Sequence, residues 1–138
     1  MDRRFFLQRA CRLGVAATLG GLISRCTPLR YLRGEISGGT LVVASSDLEL
    51  QTFIMVEHPY QEAPIYLSRD KSSGEITAVL MLCTHRQCIL TAVGEQLDCL
   101  CHGSEFSKDG RVLNGPALEP LKRLETRIRQ DHKIEIKL

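Results

Sequence analysis

Apolar residues after position 39 fall into short runs that are separated by turn-forming residues. Seven runs have this character: TLVVA (40–44), LQTFIMVEH (50–58), APIYLSR (63–69), EITAVLML (75–82), CILTAV (88–93), RVLNG (111–115) and RLETRIRQDHKIEIKL (123–138). In the last run, apolar side chains alternate with polar ones on both sides of Gln130 and Asp131, which is the pattern of a β-hairpin. The pattern predicts an all-β domain with long loops.

The first 33 residues have a different pattern. A basic head is followed by a continuous apolar run over residues 13–24, which is the layout of an export signal. Twelve helical residues span only about 18 Å, whereas a bilayer core is about 30 Å thick. A plain transmembrane helix would therefore have to include the arginines before the run, and a surface amphipathic helix is the alternative.

The stretch DRRFFLQ, residues 2–8, resembles a twin-arginine signal. That resemblance implies export of a protein that has already folded around its cofactor. We predict that residues 1–33 are a twin-arginine signal or a retained membrane anchor built on an apolar helix. No small-x-small cleavage site follows the run, and lipidation of Cys26 is an alternative to the helical anchor.

The remaining residues divide into a short joint and one domain. GEISGG, residues 34–39, predicts a flexible joint, and residues 40–138 form the domain. The whole chain has a net charge of +2, and residues 1–33 carry seven arginines against one acid, or +6, which leaves −4 on residues 34–138. A mildly acidic domain without an RNA or DNA motif argues against a nucleic-acid partner.

Two segments are rich in cysteine and histidine, and each follows a predicted strand. They are CTHRQC (83–88) and CLCHGSEF (99–106), which together offer six possible metal ligands. A zinc site needs four ligands and leaves Cys88 and Cys101 without a role. A disulfide framework, which an exported protein allows, leaves both histidines without one.

These segments resemble the paired boxes of the Rieske iron–sulfur proteins. The resemblance implies a [2Fe-2S] cluster in which Cys83 and Cys99 bind one iron while His85 and His102 bind the other. It also implies a disulfide between Cys88 and Cys101 and a hydrogen bond from the Ser104 hydroxyl to the cluster site. Residues 115–117, Gly-Pro-Ala, resemble the proline loop that covers the cluster.

The same resemblance implies a fold and a function. The expected fold is a Rieske-type antiparallel β-sandwich with a small cluster-binding subdomain made of the two loops. His85 and His102 would exchange electrons and protons with the donor, because ligand imidazoles become more basic on reduction. Two neutral imidazoles in place of thiolates also raise the reduction potential, to about −150 to +300 mV.

Two functions are compatible with this centre. The first is the iron–sulfur subunit of a membrane quinol:cytochrome c reductase, with quinol and cytochrome b- and c-type subunits as partners. The second is a small Rieske subunit or ferredoxin that serves another periplasmic oxidoreductase, such as an enzyme of the arsenite oxidase type. In either case we expect the chain at the bacterial cytoplasmic membrane, with the domain on the periplasmic face.

Four positions differ from the pattern of the quinol-oxidising members. Arg86 stands where they carry an apolar residue, Gln87 replaces a glycine and Leu100 replaces a proline. Phe106 replaces a tyrosine whose hydroxyl donates to a cysteine sulfur. Arg86 favours the second function, because a cationic tip fits an apolar quinol pocket poorly.

Overall fold

A computed structural model describes residues 31–49 and 51–138. The strands are β1 (Tyr31–Leu32), β2 (Glu35–Ser37), β3 (Thr40–Ala44), β4 (Phe53–Val56), β5 (Ile65–Arg69), β6 (Ile76–Leu80), β7 (Thr91–Val93), β8 (Gln96–Asp98), β9 (Glu105–Ser107), β10 (Val112–Asn114), β11 (Arg123–Leu124), β12 (Thr126–Ile128) and β13 (Lys133–Lys137). One short helix, α1 (Ser46–Glu49), follows β3. The all-β prediction is confirmed for the described residues.

The strands form three sheets. The central sheet has the order β1-β4-β5-β6-β11, the outer sheet has the order β12-β13-β3-β2, and the small sheet has the order β10-β9-β8-β7. Neighbouring strands are antiparallel except β1 and β4, which pair in parallel. The predicted C-terminal hairpin is present, with Thr126 opposite Ile136 and Ile128 opposite Ile134.

The central sheet is buried on both faces, because successive side chains of a strand point to opposite sides. Ile65 and Leu67 of β5 pack against apolar side chains of the outer sheet, including Ile134. Tyr66, between them, packs on the other face with Leu97 and other residues of the small sheet. The small sheet and its loops therefore pack on one face of the central sheet.

The small sheet completes a cluster-binding subdomain, which we define as residues 83–120. Strands β7 to β10 contain three residues each and carry the loops between and after them. The family resemblance implied a subdomain made of two loops. The structure places a four-stranded sheet beneath them. Strands β7 and β10 lie in the predicted runs 88–93 and 111–115, and β8 is the strand predicted before Cys99, whereas the three-residue strand β9 is too short to show a two-residue period.

The segment predicted as a flexible joint, 34–39, instead contains β2. Glu35–Ser37 pairs antiparallel with β3, and Gly38 and Gly39 form the two-residue turn with φ values of 57° and 80°. Consecutive residues with positive φ are those of a tight hairpin turn, in which glycine has no steric cost. The two glycines thus connect two paired strands.

The predictions for residues 1–30 lie outside the described residues. These are the twin-arginine signal, the apolar helix and the lipidated Cys26. Within residues 31–49 and 51–138, no helix is both long enough and apolar enough to cross a membrane.

Candidate metal centre

The two cysteine- and histidine-containing loops are closed by equivalent hydrogen bonds. In loop 1 (83–88), the Cys83 N–H donates to the Cys88 carbonyl over 2.8 Å. In loop 2 (99–104), the Cys99 N–H donates to the Ser104 carbonyl over 2.8 Å. Both loops span six residues and carry their histidine between the two ends. The shared spacing, Cys-x4-Cys and Cys-x4-Ser, is the sequence signal of this equivalence.

A second hydrogen bond tightens each loop and places one residue at positive φ. The Gln87 N–H donates to the Cys83 carbonyl over 2.8 Å, and the Gly103 N–H donates to the Cys99 carbonyl over 2.9 Å. Gln87 has φ 57° and Gly103 has φ 80°. This left-handed conformation explains why a glycine is expected at both positions, and it makes Gln87 a strained substitute.

The Cys83 and Cys99 thiols lie at the buried base of the loops, where they are 1% and 2% exposed. Burial alone would raise the pKa of Cys83, but hydrogen bonds lower it overall. The donors are the His85 and Arg86 backbone N–H groups, the Cys99 thiol and the Ser104 hydroxyl. Donors directed at a sulfur stabilise its negative charge, which is what a metal-bound thiolate requires.

The histidines lie at the opposite, exposed end of the loops. The ring centroids of His85 and His102 are 5.0 Å apart, and their planes are nearly perpendicular at 88°. Both residues are exposed. The structure thus separates the predicted ligands into a buried pair of thiols and an exposed pair of imidazoles.

A disulfide joins the two loops, as predicted. Cys88 and Cys101 are bonded, and their Cα atoms are 6.6 Å apart. Cys88 is half-buried and Cys101 is exposed, so the bond runs along the surface beside the predicted ligands. It fixes the loops relative to each other, which neither loop's own hydrogen bonds can do.

A third loop (115–120) is hydrogen-bonded to both of the others. The Ala117 N–H donates to the buried Ser104 hydroxyl oxygen over 3.0 Å. The Thr84 hydroxyl donates to the Glu119 carbonyl over 2.7 Å. Sequence reasoning identified Ser104 and the Gly-Pro-Ala motif but missed Thr84 and Glu119, which are 35 positions apart and carry no shared pattern.

The donor atoms fit a group with two metal atoms better than a single ion. Within the part of the chain that the structure describes, one group of three or more Cys, His, Asp or Glu ligand atoms lies within 4.8 Å of one another, and it consists of Cys88, Cys99 and Cys101. Cys83 and both histidines lie outside that group, two of whose sulfurs form the disulfide, so the two free thiols and the two rings are not gathered around one point. A two-iron cluster, with one iron for each pair, matches this separation.

The fold and the site define an iron–sulfur protein of the electron-transfer type, whose predicted ligands are two thiolates and two imidazoles. The family described as the Rieske [2Fe-2S] domain matches residues 39–125, and this chain belongs to that family. Its cofactor is a [2Fe-2S] cluster.

Two curated relatives illustrate how the sequence similarity is distributed. The cytochrome b6-f complex iron-sulfur subunit of Chlorobaculum tepidum is 34% identical over 67 residues, covering 47% of this chain and 36% of the relative. The cytochrome b6-f complex iron-sulfur subunit 3 of Nostoc sp. PCC 7120 is 40% identical over 137 residues, covering 88% of this chain and 77% of the relative. This chain spans 33% to 40% of the length of other curated relatives such as those of Chlorobaculum thiosulfatiphilum and Nostoc subunit 2.

A solved structure supports the same grouping. The plasma membrane Rieske protein PetC3 of Synechocystis PCC 6803 superposes with a TM-score of 0.57 at 30% identity, over 67% of this chain and 93% of that protein. The Rieske-type fold prediction is therefore confirmed. The two curated relatives are named as subunits of cytochrome b6-f complexes, and the solved structure is named as a plasma membrane protein.

Phe106 offers a test of how hydrogen bonds to the predicted ligand sulfurs, those of Cys83 and Cys99, affect the reduction potential. Its ring is fully buried in the apolar cluster that also contains Cys83 and Cys99, and it cannot donate a hydrogen bond. We expect Phe106→Tyr to raise the midpoint potential, because a hydroxyl bonded to a ligand sulfur stabilises the reduced, more negative state by about 1 kcal/mol, or about 40 mV for one electron. Redox titration followed by absorbance measures this.

A matched substitution controls for the added hydroxyl. Phe53 packs on the same cluster and stacks on Tyr66 with ring centroids 4.8 Å apart. We expect Phe53→Tyr to leave the potential unchanged. Equal potentials in Phe106→Tyr and the parent protein, with intact spectra, would show that the hydroxyl does not reach a ligand sulfur.

Proposed function

We propose that this chain is the electron-transferring subunit of a cytochrome b6-f or bc-type complex, which accepts electrons from quinol and delivers them to a c-type cytochrome. The observation that carries the proposal is the exposure of both predicted imidazole ligands at one tip, above buried thiols. Similarity to cytochrome b6-f subunits over 88% of the chain supports the same assignment.

Four side chains would hold the cofactor in this proposal. Cys83 and Cys99 would bind one iron, and His85 and His102 would bind the other. A bound [2Fe-2S] cluster supplies one-electron chemistry at the tip. The imidazole rings contact the electron donor and give or take a proton there, while the Ser104 hydroxyl and the loop 1 N–H groups stabilise charge on the Cys83 sulfur.

The surface around the histidines combines apolar and cationic groups. Leu100, in loop 2, is 80% exposed, and Leu118, in the third loop, is 94% exposed. Leu118 lies between Ala117 and Glu119, which are bonded to loop 2 and loop 1 respectively. Exposed leucines beside the predicted ligands favour contact with an apolar quinol pocket. Arg86 is also exposed and directly follows His85.

Arg86 supports a second candidate function. An exposed guanidinium at the tip fits an acidic protein surface better than an apolar pocket, because burying an unpaired charge costs several kcal/mol. The chain would then serve another periplasmic oxidoreductase as a small Rieske subunit or ferredoxin. Transfer to such a partner is expected to weaken as ionic strength rises.

Arg86→Leu distinguishes the two functions. In a quinol-oxidising complex, we expect the variant to keep or increase inhibitor-sensitive quinol oxidation, since the leucine removes a charge that the pocket must otherwise desolvate. The measurement compares quinol-driven reduction with electron transfer to the co-purified protein partner, in membranes that contain the full chain. Arg127→Leu, at another exposed arginine on β12, is the matched control.

Two results would contradict the quinol assignment. One is the absence of quinol-driven reduction in the parent protein. The other is a salt-sensitive protein-partner reaction that Arg86→Leu weakens while Arg127→Leu does not, because that pattern identifies an acidic partner.

The location at the bacterial cytoplasmic membrane, with the domain on the periplasmic face, belongs to the same proposal and rests on the export-type pattern of residues 1–33.

A further inference from the structure

We propose that Leu100 and Leu118 determine which partner the tip of the protein binds, because they make its apolar contact with the protein wall of a quinol pocket. The inference rests on the proposed quinol function and names the residues that carry the contact. It also explains how a tip that carries Arg86 presents an apolar surface, since neither leucine belongs to loop 1.

Matching backbone hydrogen bonds make Leu100 the counterpart of Thr84. Cys83 and Cys99 begin the two loops, and the N–H of each donates to the carbonyl five residues later. The residue that follows each cysteine therefore occupies the same place in its loop. This residue is Thr84 in loop 1 and Leu100 in loop 2, so one loop has a hydroxyl at this place and the other has an apolar side chain.

The third loop covers only one of these two places. The Thr84 hydroxyl donates to the Glu119 carbonyl over 2.7 Å, which satisfies its donor within the protein. No residue of the described chain covers Leu100 to a similar extent, because it is 80% exposed. A leucine side chain gains free energy when a partner removes it from water, and it offers no hydrogen bond to a polar surface. The uncovered place at Leu100 therefore fits an apolar partner.

Leu118 is held at the surface by the hydrogen bonds of its two neighbours. The Ala117 N–H donates to the buried Ser104 hydroxyl oxygen, and the Glu119 carbonyl accepts from Thr84. The backbone on either side of Leu118 is thus fixed to loops 2 and 1, while Leu118 itself is 94% exposed. A side chain on a fixed backbone loses less conformational entropy on binding than one on a loop that must first become ordered.

The location of the two leucines sets them apart from other exposed apolar residues. Among the large apolar side chains in the part of the chain that the structure describes, Leu118 and Leu100 are the two most exposed. Leu100 is two positions from His102, whose ring centroid lies 5.0 Å from that of His85. Single exposed leucines are common, but two of them in the loops around the predicted ligands mark a contact surface. Contact through these leucines leaves the long side chain of Arg86 free to keep its charge in water.

Leu100→Ser and Leu118→Ser test the proposal in membranes that contain the full chain and its complex. We expect each variant to slow inhibitor-sensitive, quinol-driven reduction of the cluster by about 10-fold at subsaturating quinol, because the lost burial of a leucine weakens docking by about that factor. The midpoint potential, the iron content and the reduction by dithionite should stay at the parent values, since both side chains are exposed and support no packing. Leu100→Met and Leu118→Met remain apolar and should keep the parent rate.

Leu113→Ser is the matched control, because Leu113 is a leucine on β10 that is 56% exposed. We expect it to leave the rate unchanged. Parent-like quinol-driven reduction in both serine variants would overturn the inference and leave the proposed function standing, as would an equal loss in Leu113→Ser. A changed midpoint potential or a loss of iron in the serine variants would also overturn it, because the leucines would then have a structural role. Absence of quinol-driven reduction in the parent protein would contradict the proposed function, and the inference with it.

Discussion

Cys88→Ser combined with Cys101→Ser is expected to destabilise the cluster-binding subdomain by about 3 kcal/mol, because the disulfide closes a loop of 13 residues and removes that freedom from the unfolded chain. Loops 1 and 2 each have their own backbone hydrogen bonds. Besides the hydrogen bonds to the Cys83 sulfur and to the third loop, the disulfide is the covalent connection between them. We therefore expect faster loss of the [2Fe-2S] cluster as well. Urea unfolding, followed by cluster absorbance and far-UV circular dichroism, measures both effects.

Single substitutions provide the control for this prediction. Cys88→Ser and Cys101→Ser should each lose nearly as much stability as the double variant, because either change removes the whole bond. Losses that add instead would indicate that each cysteine contributes through its own packing. An unfolding free energy of the double variant within about 0.5 kcal/mol of the parent would refute the clamping role.

His85→Cys combined with His102→Cys is expected to lower the midpoint potential from the Rieske range of about −150 to +300 mV toward the value of about −400 mV for four-cysteine clusters. The reason is charge, since each neutral imidazole is replaced by a thiolate and the reduced state becomes harder to form. The parent protein should show a rhombic electron paramagnetic resonance signal with a low average g value. The double variant should show the signal of a four-cysteine cluster.

A distant histidine gives the matched control. His132 is exposed in the turn before β13 and has φ 56°, a conformation that asparagine tolerates. We expect His132→Asn to leave the cluster content and the potential unchanged. If the double cysteine variant does not assemble a cluster, loss of iron in His85→Ala and in His102→Ala, but not in His132→Asn, supports the ligand roles. An unchanged potential in the loaded double variant would contradict them.

Local patterns in the amino-acid sequence were enough to predict most of the strands and the family of the metal centre. Runs such as TLVVA and EITAVLML predicted β3 and β6 because a short apolar run bounded by turn-forming residues is a local property of the chain. The spacing of six cysteine and histidine residues in two boxes identified the family, because a cluster with two kinds of ligand requires those residue types close together. The disulfide pairing, implied by the resemblance, is also present. The ligand roles of individual residues remain predictions.

The placement of these parts relative to one another depends on long-range contacts. The hydrogen bond from Thr84 to Glu119, the exposure of Leu118 between two bonded neighbours and the pairing of β2 with β3 depend on contacts between distant or weakly patterned segments. The strand β9 has too few residues to show a period, and glycine pairs have the same composition in a hinge as in a hairpin turn. The thiols are buried and the imidazoles exposed because the two loops pack on one sheet. Residues at the base of each loop contact the sheet, and residues at its tip contact solvent.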